Sequence, residues 1–241
     1  DARGHIGEIL GGLHAIAYFT RRQLTDSGRA SAQGFDGALL DDGCRHLHPL
    51  KYAVGLARAA AEAGVRIYEH SRAQPAPDGQ SGEVKTGQGL VTARHVVLGC
   101  NAYLGKLMPR LAGNIMPINN FVIATEPLPS HLLPRINRDN LSMSDTLFVI
   151  NYWKLSEDGR MLFGGGENYS SRFPRDIKAF VRPHMLNIYP ELEEVKVEYG
   201  WGGAYHSSSW VDPNENLVGG YFCCMVLALF IIWGGGCLLF L

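Results

Sequence analysis

Three groups of residues in this chain have types and spacings that chemistry could use. His46 and His48 stand two apart, so a strand would put both imidazoles on one face, as a pair of metal ligands requires. No Cys, Asp or Glu partner set stands at a supporting spacing. The alternative is a loop whose histidines bond its own backbone, so no metal site is expected. Gly164-Gly165-Gly166 could let the backbone come close to a flat ring system, although a hairpin end needing positive φ uses the same residues. Tyr152, Trp153, Trp201 and Tyr205 are candidate walls of a substrate pocket, while strand aromatics more often serve as core or cross-strand packing. Asp41-Asp42 and Glu193-Glu194 read as solvated charges rather than acid–base pairs. No Gly-x-Ser-x-Gly elbow or other nucleophile signature occurs, so no residue is singled out as catalytic.

The elements that would position these residues begin with His46 to His70. His46-Leu47-His48-Pro49 is an extended lead-in, and Pro49 suits a first helical turn, where its missing N–H has no partner. Tyr52, Leu56, Ala59, Ala60 and Ala63 then fall on one stripe among strong helix formers, which predicts a helix over 49–63 capped by Gly64. Residues 65–69 alternate as a strand, giving the helix-to-strand half of an α/β unit. Residues 74–82 read as a surface loop, 84–86 and 89–93 as two hairpin strands, and 94–100 as a buried parallel strand. From Ile115 to Tyr205 the pattern becomes antiparallel. Strands are expected at 120–125, at 147–155 and 160–165 around a Ser-Glu-Asp-Gly turn, and at 195–201. Residues 177–189 have helical spacing, with Pro183 expected to kink or restart the helix. Ile6 to Phe19 is apolar with helical character, and 34–40 reads as a short strand.

Composition limits what these elements can do. At 241 residues the chain can bury a core in one or two domains. Hydrophobic residues make up 46% and charged residues 19%, which is ordinary globular composition and argues against disorder. A net charge of -1 gives no field for phosphate backbones, so no nucleic-acid partner is expected. The five cysteines form no C-x-x-C pair, and Cys223, Cys224 and Cys237 crowd the C-terminal stretch, so neither a disulfide framework nor zinc is indicated. A reducing, cytoplasmic setting is the default expectation. The chain opens on Asp1-Ala2-Arg3-Gly4-His5 without an initiator Met or a signal peptide, and is expected to begin within a longer protein.

Five stretches in order carry a family resemblance: HLHPLKYAVGLARAAAEAGVRIYEHSRA, LVTARHVVLGCNAYLGKLMP, INNFVIATEPL, DGRMLFGGGE and VEYGWGGAY. Together they resemble FAD-dependent amine oxidoreductases of the D-amino-acid oxidase and glycine oxidase superfamily, in its gamma-glutamylputrescine oxidoreductase-like branch. The resemblance implies an α/β FAD-binding, Rossmann-like domain remnant interleaved with an α+β antiparallel-sheet substrate domain. It implies an N-terminal part at 1–43 on the substrate-domain side, FAD-domain parts at 44–112 and 206–220, and a substrate domain at 113–205. It further implies FAD as cofactor, with Asn101, Ala102 and Tyr103 in its pocket beside Gly164, Gly165 and Gly166. The substrate would be a small amine or amino acid that gives a hydride to the flavin from the carbon next to nitrogen, the imine then hydrolysing. Three features depart from the family pattern, one of them the C-terminal Gly- and His-containing strand-to-helix turn over the FAD, of which only the approach at Gly219-Gly220-Tyr221 is matched. The chain contains no G-x-G-x-x-G pyrophosphate loop, and Cys44-Arg45 stands where family members carry Gly. The expectation is therefore a fragment with impaired flavin binding.

The C-terminal stretch offers a rival. Residues 221–241 are apolar apart from Gly and Cys, and in a helix would reach about 30 Å, enough to cross a bilayer. A membrane anchor and an aberrant end from a frameshift or intron read-through are both open, and the missing basic flank argues against the anchor. The alternative function is then a non-catalytic, membrane-anchored remnant or binding module.

Overall fold

The computed structural model describes residues 14–20, 34–35, 37–75, 82–145, 147–170, 172–212 and 217–222. They fall into two compact units, one of residues 49–118 and 204–222, the other of residues 14–48 and 119–203.

In the first unit, helix α1 (Pro49–Glu62) forms where the sequence predicts it. Its end is a Schellman motif: Gly64 takes a φ of 90°, its N–H bonds to Ala61 O and the Val65 N–H bonds to Ala60 O. The strands β3 (Glu83–Lys85) and β4 (Leu90–Thr92) make the expected hairpin. Thr86 Oγ1 closes its turn by accepting the N–H groups of Gln88 and Gly89. A 3-10 turn covers Asn101–Tyr103 and helix α2 covers Pro109–Ala112. The strands expected at 65–69 and 94–100 do not form. A strand needs a ladder partner, and no described strand pairs with either segment. Without one, Val97 is 69% exposed rather than buried. The apolar stripe of α1 is correspondingly only part-covered, with Tyr52, Ala59 and Ala60 half-buried and Leu56 exposed.

The second unit holds the main core. Its strands are β1 (His14–Thr20), β2 (Gly37–His46), β5 (Met116–Pro127, from Asn119 onward), β6 (Ser142–Ser144), β7 (Tyr152–Leu155), β8 (Arg160–Asn168) and the first part of β9 (Val197–Asp212). They lie in one sheet in the order β9-β5-β8-β7-β6-β1-β2. The later part of β9 belongs to the first unit, where it pairs antiparallel with β10 (Leu217–Phe222). Helix α3 covers Leu133–Asn137, and helix α4 (Ile177–Ile188) continues through Pro183 as one helix rather than two. Asp176 caps α4, its side chain accepting the Ala179 N–H at 3.0 Å.

The apolar residues follow the period of two. Phe121 and Ile123 on β5, Met161 and Phe163 on β8, and Trp153 and Leu155 on β7 are buried with Val181, Met185 and Ile188 of α4 in one cluster. Trp153 organises it: the indole stacks on Phe163 with centroids 5.7 Å apart, meets Tyr189 edge-on and donates Nε1–H to the Tyr189 hydroxyl at 2.8 Å. Burial pushes the Tyr189 phenol well above its ordinary pKa, so it stays neutral in this bond.

Three further expectations change here. Residues 14–20 are a strand rather than a helix, because β1 pairs on both sides, antiparallel to β2 and parallel to β6. The strand expected at 34–40 runs later and longer, as 37–46. The strand expected from Leu147 starts only at Tyr152, because the buried Asp145 carboxylate accepts the N–H groups of Leu147 and Asn151 and folds that segment into a loop. Among the described residues no helix is long and apolar enough to cross a membrane. Tyr221 and Phe222 lie in β10, and the rest of the apolar C-terminal stretch lies outside the described residues.

Truncating Phe163 to Ala should destabilise the protein by about 3–5 kcal/mol, the usual cost of emptying an aromatic core site. Asp176→Ala should cost about 1 kcal/mol through loss of the cap. Urea denaturation of both variants checks the ranking, and equal midpoints would contradict it.

Candidate active site

Alternation along β7 separates two faces. Trp153 and Leu155 enter the core, and the residues between them, Tyr152 and Lys154, point to the opposite face. That opposite face is also buried, and it mixes the apolar Val122 and Ala124 with a cluster of polar side chains. Asn120, Tyr152, Lys154, Ser142 and Ser144 all lie below a tenth exposed. Tyr152 reaches across a whole strand: its hydroxyl donates to Asn120 Oδ1 on β5 at 2.5 Å, with β8 between them. Gly164, the ladder partner of Tyr152 on β8, makes this possible, since a Cβ there would sit 1.8 Å from Tyr152 Cζ. Asn120 Nδ2 is 3.4 Å from Gly166 O, a long bond that orients the amide.

Lys154 lies on the same face at 6% exposure and donates Nζ–H to Leu47 O at 2.8 Å. Burial lowers its pKa to about 8, with the Glu157 carboxylate pulling the other way. His46 Nε2 stands 2.8 Å from Asn140 O, and because a carbonyl only accepts, that nitrogen carries the proton. His46 is thus occupied with backbone. His48 is exposed, and among the described residues no group of three His, Cys, Asp or Glu side chains could hold a metal.

The other candidate residues divide. Trp153 is core, on the face opposite Tyr152. Trp201 is half-buried in the second unit, and Tyr205 is buried in the first. At the glycine triplet, the space a side chain would take is already filled: by the Tyr152 ring at Gly164, Asn151 Oδ1 at Gly165 and the Phe180 ring at Gly166. Gly166 has a φ of 72°, and β8 carries an extra residue there against β5, so the triplet serves a bulge and close packing of this chain's own side chains. The Asn101–Tyr103 turn is different. Asn101 adopts a left-handed φ of 49°, a Cβ at Gly99 would meet nothing within 4 Å, and Tyr103 accepts the Ala204 N–H on its hydroxyl at 2.8 Å. Its backbone is open to close approach and tied to β9, which fits a cofactor-side loop. Asp41 and Asp42 have no described side chains, and Glu193 and Glu194 are exposed.

Sequence reasoning passed over Asn120, Lys154, Asp145 and Asn151. The available signal was a polar residue at an alternate position of an otherwise apolar strand, as in Tyr152-Trp153-Lys154-Leu155.

Comparison with known proteins gives the class. The family described as FAD dependent oxidoreductase matches residues 6–225. A probable oxidoreductase OrdL of Rhizobium meliloti is 35% identical over 231 residues, covering 92% of this chain and 53% of that protein. The gamma-glutamylputrescine oxidoreductase of Escherichia coli is 38% identical over 172 residues, covering 71% of this chain and 40% of that protein. Among solved structures, glycine oxidase from Geobacillus kaustophilus superposes with a TM-score of 0.68 at 18% identity, covering 94% of this chain and 71% of that one. The chain belongs to the FAD-dependent oxidoreductase family that includes the D-amino-acid oxidase type, and shares its fold. It spans about half the length, or less, of the curated relatives it matches.

Two outcomes test the site. Gly164→Ala should destabilise by about 1–3 kcal/mol by driving Tyr152 from Asn120. Pairing it with Tyr152→Ala should cost less than the sum of the two single changes, a non-additivity that a double-mutant denaturation cycle reads directly. For Lys154, the folded state sheds its proton near pH 8 and the unfolded chain only near 10.5. Between those values the unfolded state holds more protons, so wild-type stability should rise with pH relative to Lys154→Met, by up to about 3 kcal/mol, and level off above. Parallel pH profiles for the two proteins would refute this.

Proposed function

We propose that this chain is part of an FAD-dependent oxidoreductase acting on the CH–NH group of a small amine or amino acid. In this reading residues 44–112 and 206–220 contribute to the flavin-binding side and 113–205 to the substrate side. The observation that carries it is the second unit's sheet, apolar and packed on α4 on one face, and on the other burying the polar cluster of Asn120, Tyr152, Lys154, Ser142 and Ser144 beside Val122 and Ala124. A purely structural sheet has little reason to bury Asn120, Tyr152 and Lys154 together, whereas a wall that excludes water and orients a polar substrate needs such groups. Family membership and the gamma-glutamylputrescine oxidoreductase relative support the reaction class.

The Asn101–Tyr103 turn and the open backbone at Gly99 would hold FAD. When bound, FAD supplies the two-electron oxidation that takes a hydride from the carbon beside nitrogen. The chain's own part is to position the amine. Tyr152, its proton directed at Asn120, offers a fixed hydroxyl, and Lys154 places a cation on the same face. Neither residue needs to exchange a proton with the substrate for this role.

The test is to add FAD to the purified chain, desalt, record the visible spectrum, and mix anaerobically with a panel of amines and amino acids. Flavin retained in part, as impaired binding without a G-x-G-x-x-G loop implies, and bleached by at least one amine is the expected outcome. Tyr152→Phe should slow that bleaching by about tenfold, the loss of one oriented hydrogen bond. Retained flavin that no amine or amino acid reduces would overturn the reaction class, and flavin lost on desalting would overturn cofactor binding by this chain.

A further inference from the structure

Between the end of β2 at His46 and the start of α1 at Pro49 the chain has only Leu47 and His48, and there it leaves the second unit. A two-residue connection of this kind is ordinarily free to act as a hinge, because it lies in no ladder and no helix. Here its first residue and the residue just before it are tied by long-range bonds. His46 Nε2–H meets Asn140 O, 94 residues away in sequence, and Lys154 Nζ–H meets Leu47 O, 107 residues away, each at 2.8 Å. The two bonds use different acceptors on different segments, so together they constrain direction as well as place. Leu47 is half-buried, and Lys154 extends its stem from the middle of β7. Its β8 ladder partner is Leu162, and the β6–β7 register puts Ser142 on the other side, so neither neighbour competes as a charge.

We propose that Lys154 is a positioning residue that fixes the backbone at Leu47–His48, at the end of β2 within the second unit. The chemistry favours Lys for the task. A long flexible stem passes over the sheet, and a cationic donor makes a stronger bond to a lone carbonyl than a neutral one. Burying the ammonium is costly, and in this reading the orientation of the connection is what that cost maintains. Its readout is backbone order at Leu47 and His48, which is measured apart from the part that the proposed function gives Lys154 in positioning the amine.

Backbone 15N relaxation on the full chain tests it. In the wild type, Leu47 and His48 amides should show order parameters near 0.85, like the flanking strands; in Lys154→Met they should fall below about 0.6. Lys154→Arg, which keeps a charged donor on a long stem, should restore them. Amides of β5 and β8 should be unchanged in both variants, which separates a freed connection from a damaged fold. If the Met variant does not fold, Lys154→Gln, too short to reach Leu47 O, takes its place. Unchanged order at Leu47 and His48 in the Met or Gln variant would overturn the proposal. An Arg variant as mobile as the Met variant would overturn it equally.

Discussion

The period of two along β7 is the constraint on which the second unit depends. Tyr152-Trp153-Lys154-Leu155 sends the largest core side chain one way and a tyrosine–lysine pair the other. A slip by one residue would put an ammonium against Phe163 and an indole against Asn120. Each face enforces the register of the other. The Trp153 indole stacked on Phe163 and bonded to Tyr189 sets it from the core side, and the Tyr152 bridge over Gly164 sets it from the polar side. The site is therefore a by-product of packing that the core already requires, and its hydrogen bonds hold geometry on strands rather than on loops.

The parts of this fold that were legible in the sequence are those whose signal is local. α1 carries its own start and stop in Pro49 and Gly64, the turn before Arg160 is closed by Ser156 and Gly159, and the β3–β4 hairpin is closed by Thr86. The parts that were not legible depend on partners far along the chain. His14–Thr20 could have been helix or strand until β2 and β6 offered two ladders. The segments at 65–69 and 94–100 have strand composition, and no described strand meets them. Asp145 could not be distinguished from a surface acid, yet it is 3% exposed and converts an apolar run into a loop. Of the candidate site residues, Tyr152 fell on the face away from the core and Trp153 in the core, although they are adjacent; aromatic strand residues more often pack in a core, and the alternation put only one of the two there.

The glycine triplet shows how little a missing side chain specifies. Close approach and a positive φ were both open for Gly164, Gly165 and Gly166, and Gly166 takes a φ of 72°. What approaches, in this structure, is the protein itself: a tyrosine ring, an asparagine oxygen and a phenylalanine ring. Sequence states that a side chain is missing, and leaves open which neighbour takes its volume.

That volume also imposes an order on history. A methyl group at 164 cannot enter while Tyr152 lies across β8, but it can once the ring has shrunk. Lineages leaving this arrangement would have to change position 152 first, and a lineage with a side chain already at 164 could not acquire the tyrosine bridge without first returning to glycine. The two positions thus favour a fixed order of change in either direction: 152 before 164 on leaving the arrangement, 164 before 152 on entering it.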